Sequence, residues 1–94
     1  MGDLPAIEIL EANHSFPGRY TFKAIGKVEK GFTARVVAAV REELANDIDP
    51  PFHTRETGGG RHVSVTIEPV VFSARQVIAI YARIRTIEGL VILW

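Results

Sequence analysis

Cysteine is absent from these 94 residues, so disulfides and thiolate metal ligands are excluded from the outset. Neither charge is in excess: 11 lysines and arginines balance 11 aspartates and glutamates. The chain-wide basic footprint that phosphate-backbone binding needs is therefore missing. No stretch approaches the ~20 apolar residues of a membrane-spanning helix. From Met1 to Asn13 the chain carries Asp3, Glu8 and Glu11 and no base, unlike the positive start of a secretory signal. These shortages imply a cytoplasmic protein with no nucleic-acid partner and no membrane attachment.

What is present is enough for one core. The apolar fraction is 47% and the charged fraction 23%, an ordinary globular balance. A single domain of this length buries roughly 60–70% of its unfolded-chain surface, which needs no staple. Residues 1–14 read as a lead-in, with Ile7, Ile9 and Leu10 either in a short helix or lying across the domain. Residues 15–94 read as the domain itself.

Phe16-Pro17-Gly18 marks a turn. Arg19 to Lys27 then alternates, with Tyr20, Phe22 and Ala24 on one face and Thr21, Lys23 and Ile25 on the other, which predicts a first strand. From Gly31 to Asn46 the period lengthens. Phe32, Val36, Val37, Val40 and Leu44 form one helical stripe, with Glu43 at its edge. Asn46-Asp47 and then Asp49-Pro50-Pro51 end that helix.

Phe52 to Thr57 suits a polar edge strand, and Gly58-Gly59-Gly60 a hairpin whose register three glycines leave open. Arg61 to Glu68 alternates strictly, with Val63, Val65 and Ile67 inward and His62, Ser64, Thr66 and Glu68 outward. Pro69 closes it. Ser73 and Gln76 have capping-box spacing at the head of a second helix, which carries Val77, Ile80, Tyr81, Ile84 and Ile87 on one face and stops at Gly89. Leu90 to Trp94 is a last apolar strand. The order β-α-β-β-α-β predicts an α+β, ferredoxin-like fold, two helices on one face of a four-stranded antiparallel sheet.

Several stretches also carry a resemblance. Phe16-Pro17 followed by Tyr20-Thr21-Phe22-Lys23-Ala24-Ile25-Gly26 resembles the opening of the YbeD-like family of small bacterial proteins. Gly60-Arg61-His62-Val63-Ser64-Val65-Thr66-Ile67 is similar to a second signature. Gln76-Val77 with Ile80-Tyr81, and the ending Glu88-Gly89-Leu90-Val91-Ile92-Leu93, are similar too. The resemblance spans Ser15 to Trp94. It implies a ferredoxin-like fold related to the small-molecule-sensing ACT domains, and a regulatory role. Some members bear a lipoate-regulatory label, and no catalytic residues come with the resemblance.

Catalytic patterns are weak. His14, His53 and His62 are the only histidines, and a zinc site needs three or four converging ligands. His53 and His62 are candidates to meet across the hairpin, which makes two ligands at most. Ser64 and Thr66 lie mid-strand without an activating base. Glu42-Glu43 and Asp47-Asp49 read as a solvated helix end rather than an acid–base pair. Gly58 to Gly60 matches no phosphate-loop spacing; were the loop to bind an anion, Arg61 and Arg55 would supply the charge. The third strand lacks the basic–aromatic signature of RNA-binding sheets, and Asn13 and Asn46 fall outside the strands, against an acylphosphatase-like enzyme.

The expectation is therefore a regulatory or binding module, not an enzyme, with no cofactor. Its ligand contacts are sought on the uncovered sheet face, at Lys23 first, then His62, Ser64 and Arg61. The partner is a small molecule or another protein, a second copy of the chain included. The alternative is a structural adaptor that holds a protein through that face or through the last strand. Two points stay open at this level: whether residues 1–14 cover the face, and whether the last strand gives it Leu90, Ile92 and Trp94 or Val91 and Leu93.

Overall fold

The structure, a computed structural model, describes residues 5–29 and 31–94. In chain order the elements are α1 (Ile7–Asn13), β1 (Gly18–Arg19), β2 (Phe22–Lys27), α2 (Phe32–Leu44), β3 (Phe52–Thr57), a 3-10 turn (Gly58–Gly60), β4 (His62–Ile67), β5 (Val70–Val71), α3 (Ala74–Arg85) and β6 (Leu90–Leu93). The main sheet runs β3-β4-β2-β6 and is antiparallel throughout. Helices α2 and α3 pack on each other and on one face of it, so the fold is α+β with the ferredoxin-like order.

Alternation in β2 and β4 builds the floor of the core. Phe22, Ala24, Val65 and Ile67 are fully buried, and Val63 nearly so. Against them α2 sets Phe32, Val36 and Val40, and α3 sets Val77, Ile80 and Ile84. Burying each such side chain stabilises the fold by roughly 1.5–3 kcal/mol relative to leaving it in water. β3 lies beyond the helices and buries none of its residues, which is why a strand of His, Thr, Arg and Glu is tolerated there. The β3–β4 ladder holds it in place.

The predicted first strand is split in two. Gly18 and Arg19 pair with Val71 and Val70 in a separate small sheet, and the Tyr20 N–H donates to the Pro69 carbonyl at 3.0 Å. Only Phe22 onward joins the main sheet. The alternation continued through the break because Tyr20 still faces the core, its ring 4.8 Å from that of Phe22.

The lead-in also finds a place. α1 packs along α3 and buries Leu10, so the described part of residues 1–14 joins the helical layer and does not cover the open face. Residues 1–4 lie outside the described residues.

Helix ends follow local chemistry. Ala45 adopts the left-handed region (φ 56°) at the end of α2, and its N–H reaches back to the carbonyls of Arg41 and Glu42. The stop thus comes before Asn46. Glu43, at the edge of the apolar stripe, accepts from Arg83 Nε at 2.6 Å and ties α2 to α3 at the surface. At the head of α3 the Ser73 hydroxyl accepts the Gln76 N–H at 3.1 Å. In return Gln76 Oε1 accepts the Phe72 N–H at 2.8 Å, one residue earlier than in the usual box. α3 ends at Arg85, short of Gly89, where the Thr86 hydroxyl donates to the Arg83 carbonyl.

Gly26 is the tightest point. A Cβ built on it would stand 2.2 Å from Phe32 Cζ, and Phe32 is only 1% exposed. Gly26→Ala is expected to destabilise the domain by about 1–3 kcal/mol in urea unfolding, since the ring has nowhere to go. A loss below about 0.5 kcal/mol would show that it has room.

Tyr20 and Tyr81 share a hydroxyl–hydroxyl hydrogen bond of 3.1 Å beneath the His14 and Phe22 rings. Burial first, then the hydrogen bond and charge of Tyr20, hold the Tyr81 phenol neutral well above its ordinary pKa of 10.0. A raised folded-state pKa means that the native state holds this proton more tightly than the unfolded chain. That contribution to stability is complete below pH 10.0 and is lost as pH rises above it. Tyr81→Phe should lower stability by about 1 kcal/mol at neutral pH. It should also flatten the loss of stability above pH 10.0, as read by chemical denaturation against pH.

Candidate functional site

The side of the sheet away from α2 and α3 is covered by no described element. Its residues are those that the pairing register places between the buried ones. His53, Thr66, Lys23 and Trp94 stand in one row across β3, β4, β2 and the residue just past β6, the last two joined by reciprocal backbone hydrogen bonds of 2.6 and 2.8 Å. Arg55, Ser64, Ile25 and Ile92 form the next row. Thr57, His62 and Lys27 form a third.

The last strand's contribution is settled by a bulge. Ile25 pairs with Ile92, but its neighbour Gly26 pairs with Leu90, so Val91 is an extra residue. Leu90 and Leu93 therefore both pack on the core, while Ile92 and Trp94 are about half exposed, at 48% and 53%. Neither simple alternation applies.

Between β2, β4 and β3 the face sinks into an open depression of about 280 Å³, lined by Lys23, His53, Thr54, Arg55, Ser64 and Thr66. Ser64 is its floor, only 7% exposed, because Arg55 and Ile25 flank it in the register. Lys23 Nζ lies 5.4 Å from the centroid of the Trp94 ring, a cation–π contact that joins the depression to the apolar side of the face.

Of the residues singled out from the sequence, Lys23 and Ser64 line this depression together. His62 sits one row further along, beside Lys27, and its carbonyl accepts the Thr57 hydroxyl at 3.3 Å. Arg61 belongs to the hairpin, where its carbonyl accepts the Val28 N–H at 2.9 Å, and it does not line the depression. His53 and His62 do not meet: the register puts them opposite Thr66 and Thr57, four residues apart along the ladder, or roughly 14 Å. His53, Arg55 and Thr66 are added by the cross-strand pairing. Arg55 was legible only as a charge near the glycine turn, since a single strand does not reveal its neighbours.

Among the described residues no group of three or more histidine or acidic side chains is placed to hold a metal ion. No helix among them is long and apolar enough to cross a membrane.

A family model for a protein of unknown function, DUF493, matches residues 11–93. The chain belongs to the DUF493 family. That match takes in every strand of the main sheet and both helices packed on it. No curated protein matches the chain. The DUF493 description assigns no activity.

On this DUF493 sheet, Lys23 stands between two fully buried neighbours but contributes nothing to the core. Lys23→Ala should cost at most about 1 kcal/mol, the worth of an exposed cation–π contact. Val65→Asp, one step away on the opposite face, should abolish folding, because it buries a carboxylate without a partner. Equal losses in thermal unfolding would show that the two faces have been assigned wrongly.

Proposed function

We propose that this DUF493 domain is a regulatory module that binds a small molecule on its open sheet face and carries no catalytic activity of its own. The observation that carries the reading is the depression in which Lys23, Arg55, Ser64 and Thr66 converge on a face left clear by every described element. A sheet face with large exposed apolar side chains beside cations that have no carboxylate partner marks an interaction site. The depression is shallow and solvent-open, which suits reversible binding better than the water-excluding enclosure that most chemistry needs.

The reading is ACT-like in outline: a ferredoxin-like domain takes a small ligand and shifts between two states of association. A ligand favours whichever state binds it better, so occupancy of the face would be read out as a change in self-association or in a partner's grip.

One observation favours a second reading. β6 is an edge strand, and Val91, Ile92 and Trp94 on or beside it are all about half exposed. A protein partner adding a strand there would gain main-chain hydrogen bonds and cover those side chains. Deleting residues 92–94 would then abolish partner capture.

Thermal unfolding against a panel of small anionic, cationic and neutral metabolites tests the first reading. A ligand present at 100 times its Kd adds about 2.7 kcal/mol. For a domain of this size that raises Tm by on the order of 10 °C. A saturable shift that disappears in Lys23→Ala supports the module. The absence of any shift at millimolar concentrations would sink it and leave the strand-addition reading.

A further inference from the structure

The charge on the open face is segregated in a way that the neutral chain does not suggest. Elsewhere three arginines of the helices have carboxylate partners: Arg41 with Asp49 at 2.7 Å, Arg83 with Glu43 at 2.6 Å, and Arg35 with Glu29 at 3.4 Å. In the three rows of the open face the cations are Lys23, Lys27 and Arg55, and no row contains an aspartate or glutamate. Neither Lys23 nor Arg55 forms an ion pair with a described residue. Alternation continued past the end of β4 puts Glu68 beyond Thr66, at the rim furthest from Arg55.

The polar and apolar halves are separated along the rows. Toward β3 and β4 the rows carry hydroxyl groups, Thr66 beside Lys23 of β2 and Ser64 beside Arg55 of β3. On the β2–β6 side the same rows continue as Ile25, Ile92 and Trp94. The step from β4 to β6 spans two strand spacings, roughly 10 Å. A hydroxyl donates to an anion and a cation neutralises it, and neither gains from an apolar group. The isoleucines and the Trp94 ring do gain from one.

We infer that the open face is a two-part site for an amphipathic anion. A carboxylate or phosphate lies between Lys23 and Arg55 over the Ser64 and Thr66 hydroxyls, and an apolar arm of roughly 10 Å lies across Ile25, Ile92 and Trp94. The inference rests on the binding-module reading and narrows its ligand class. A polyanion such as single-stranded nucleic acid fits less well: the three rows hold no phenylalanine or tyrosine, only Trp94 and two histidines, and the chain as a whole has no positive excess.

The test is a ¹H–¹⁵N shift titration of the full chain at constant ionic strength with acetate, hexanoate, 1-hexanol and a ten-residue oligothymidylate. Hexanoate should bind most tightly, gaining about threefold to fourfold over acetate for each methylene that the face covers. Lys23→Met combined with Arg55→Met should weaken hexanoate at least about tenfold, the loss of charge-assisted hydrogen bonds, and leave hexanol unchanged. Ile92→Ser combined with Trp94→Ala should bring hexanoate down to the level of acetate, and the signal dispersion of each double variant reports that it is folded.

Hexanol binding as tightly as hexanoate, the oligonucleotide binding more tightly, or indifference of hexanoate to either folded double variant would overturn the inference. If hexanoate fails while a neutral or cationic metabolite raises Tm, the ligand class is wrong and the binding module stands. If no compound in either experiment binds, both fall.

Discussion

The ring of Phe32 occupies the space that a side chain at residue 26 would need, and much of the architecture turns on that substitution of one residue's ring for another's Cβ. Glycine in mid-strand gives up packing and backbone entropy. Here it admits the first residue of α2 directly onto β2 and fixes where the helix lies over the sheet. Gly89, at φ 94°, lets the chain pass the same ring on its way into β6, where the Lys27 N–H donates to its carbonyl. The bulge in β6 falls opposite the same glycine. Its effect reaches the far side of the sheet: with Val91 extra, Leu90 and Leu93 both serve the core, and Ile92 and Trp94 are delivered to the open face.

The open face is thus a by-product of how the core is filled. Phe22, Ala24, Val65 and Ile67 must point at the helices, so Lys23, Ile25, Ser64 and Thr66 must point away from them. Core packing decides which positions face outward, and it does not dictate what chemistry stands there. A solvated face asks only for polar residues of mixed sign. The cations gathered on this one, the half-exposed apolar side chains beside them and the lack of aspartate or glutamate in its three rows are what packing alone does not require.

Much of this was legible in the sequence because the informative signals were local. Period-2 alternation in 61–68 gave β4 and its faces, and the four-residue spacing from Phe32 to Val40 gave α2. The ferredoxin-like order followed from those elements and their connections. The break at Tyr20-Thr21 was hidden, because alternation persists through it while the hydrogen-bonding partner changes from β4 to Pro69 and β5. The parity of β6 was hidden for a similar reason: a bulge depends on the partner strand, and nothing in Leu-Val-Ile-Leu-Trp announces one. The site itself was half visible. Lys23 and Ser64 follow from strand parity, but their association with His53, Arg55 and Thr66 depends on the β3–β4 register, which three glycines do not specify.

Binding on that face requires it to be open to solvent, and the missing cysteines make this directly measurable. Single cysteines placed at Lys23, Arg55 and Ile92, and at Ala24 and Val65 on the core side, are to be timed in their reaction with iodoacetamide under native conditions. An open face lets the first three react at close to the rate of an unfolded thiol, while the last two are protected. Protection at Lys23, Arg55 and Ile92 as well would mean that something already covers the face, and would contradict binding there.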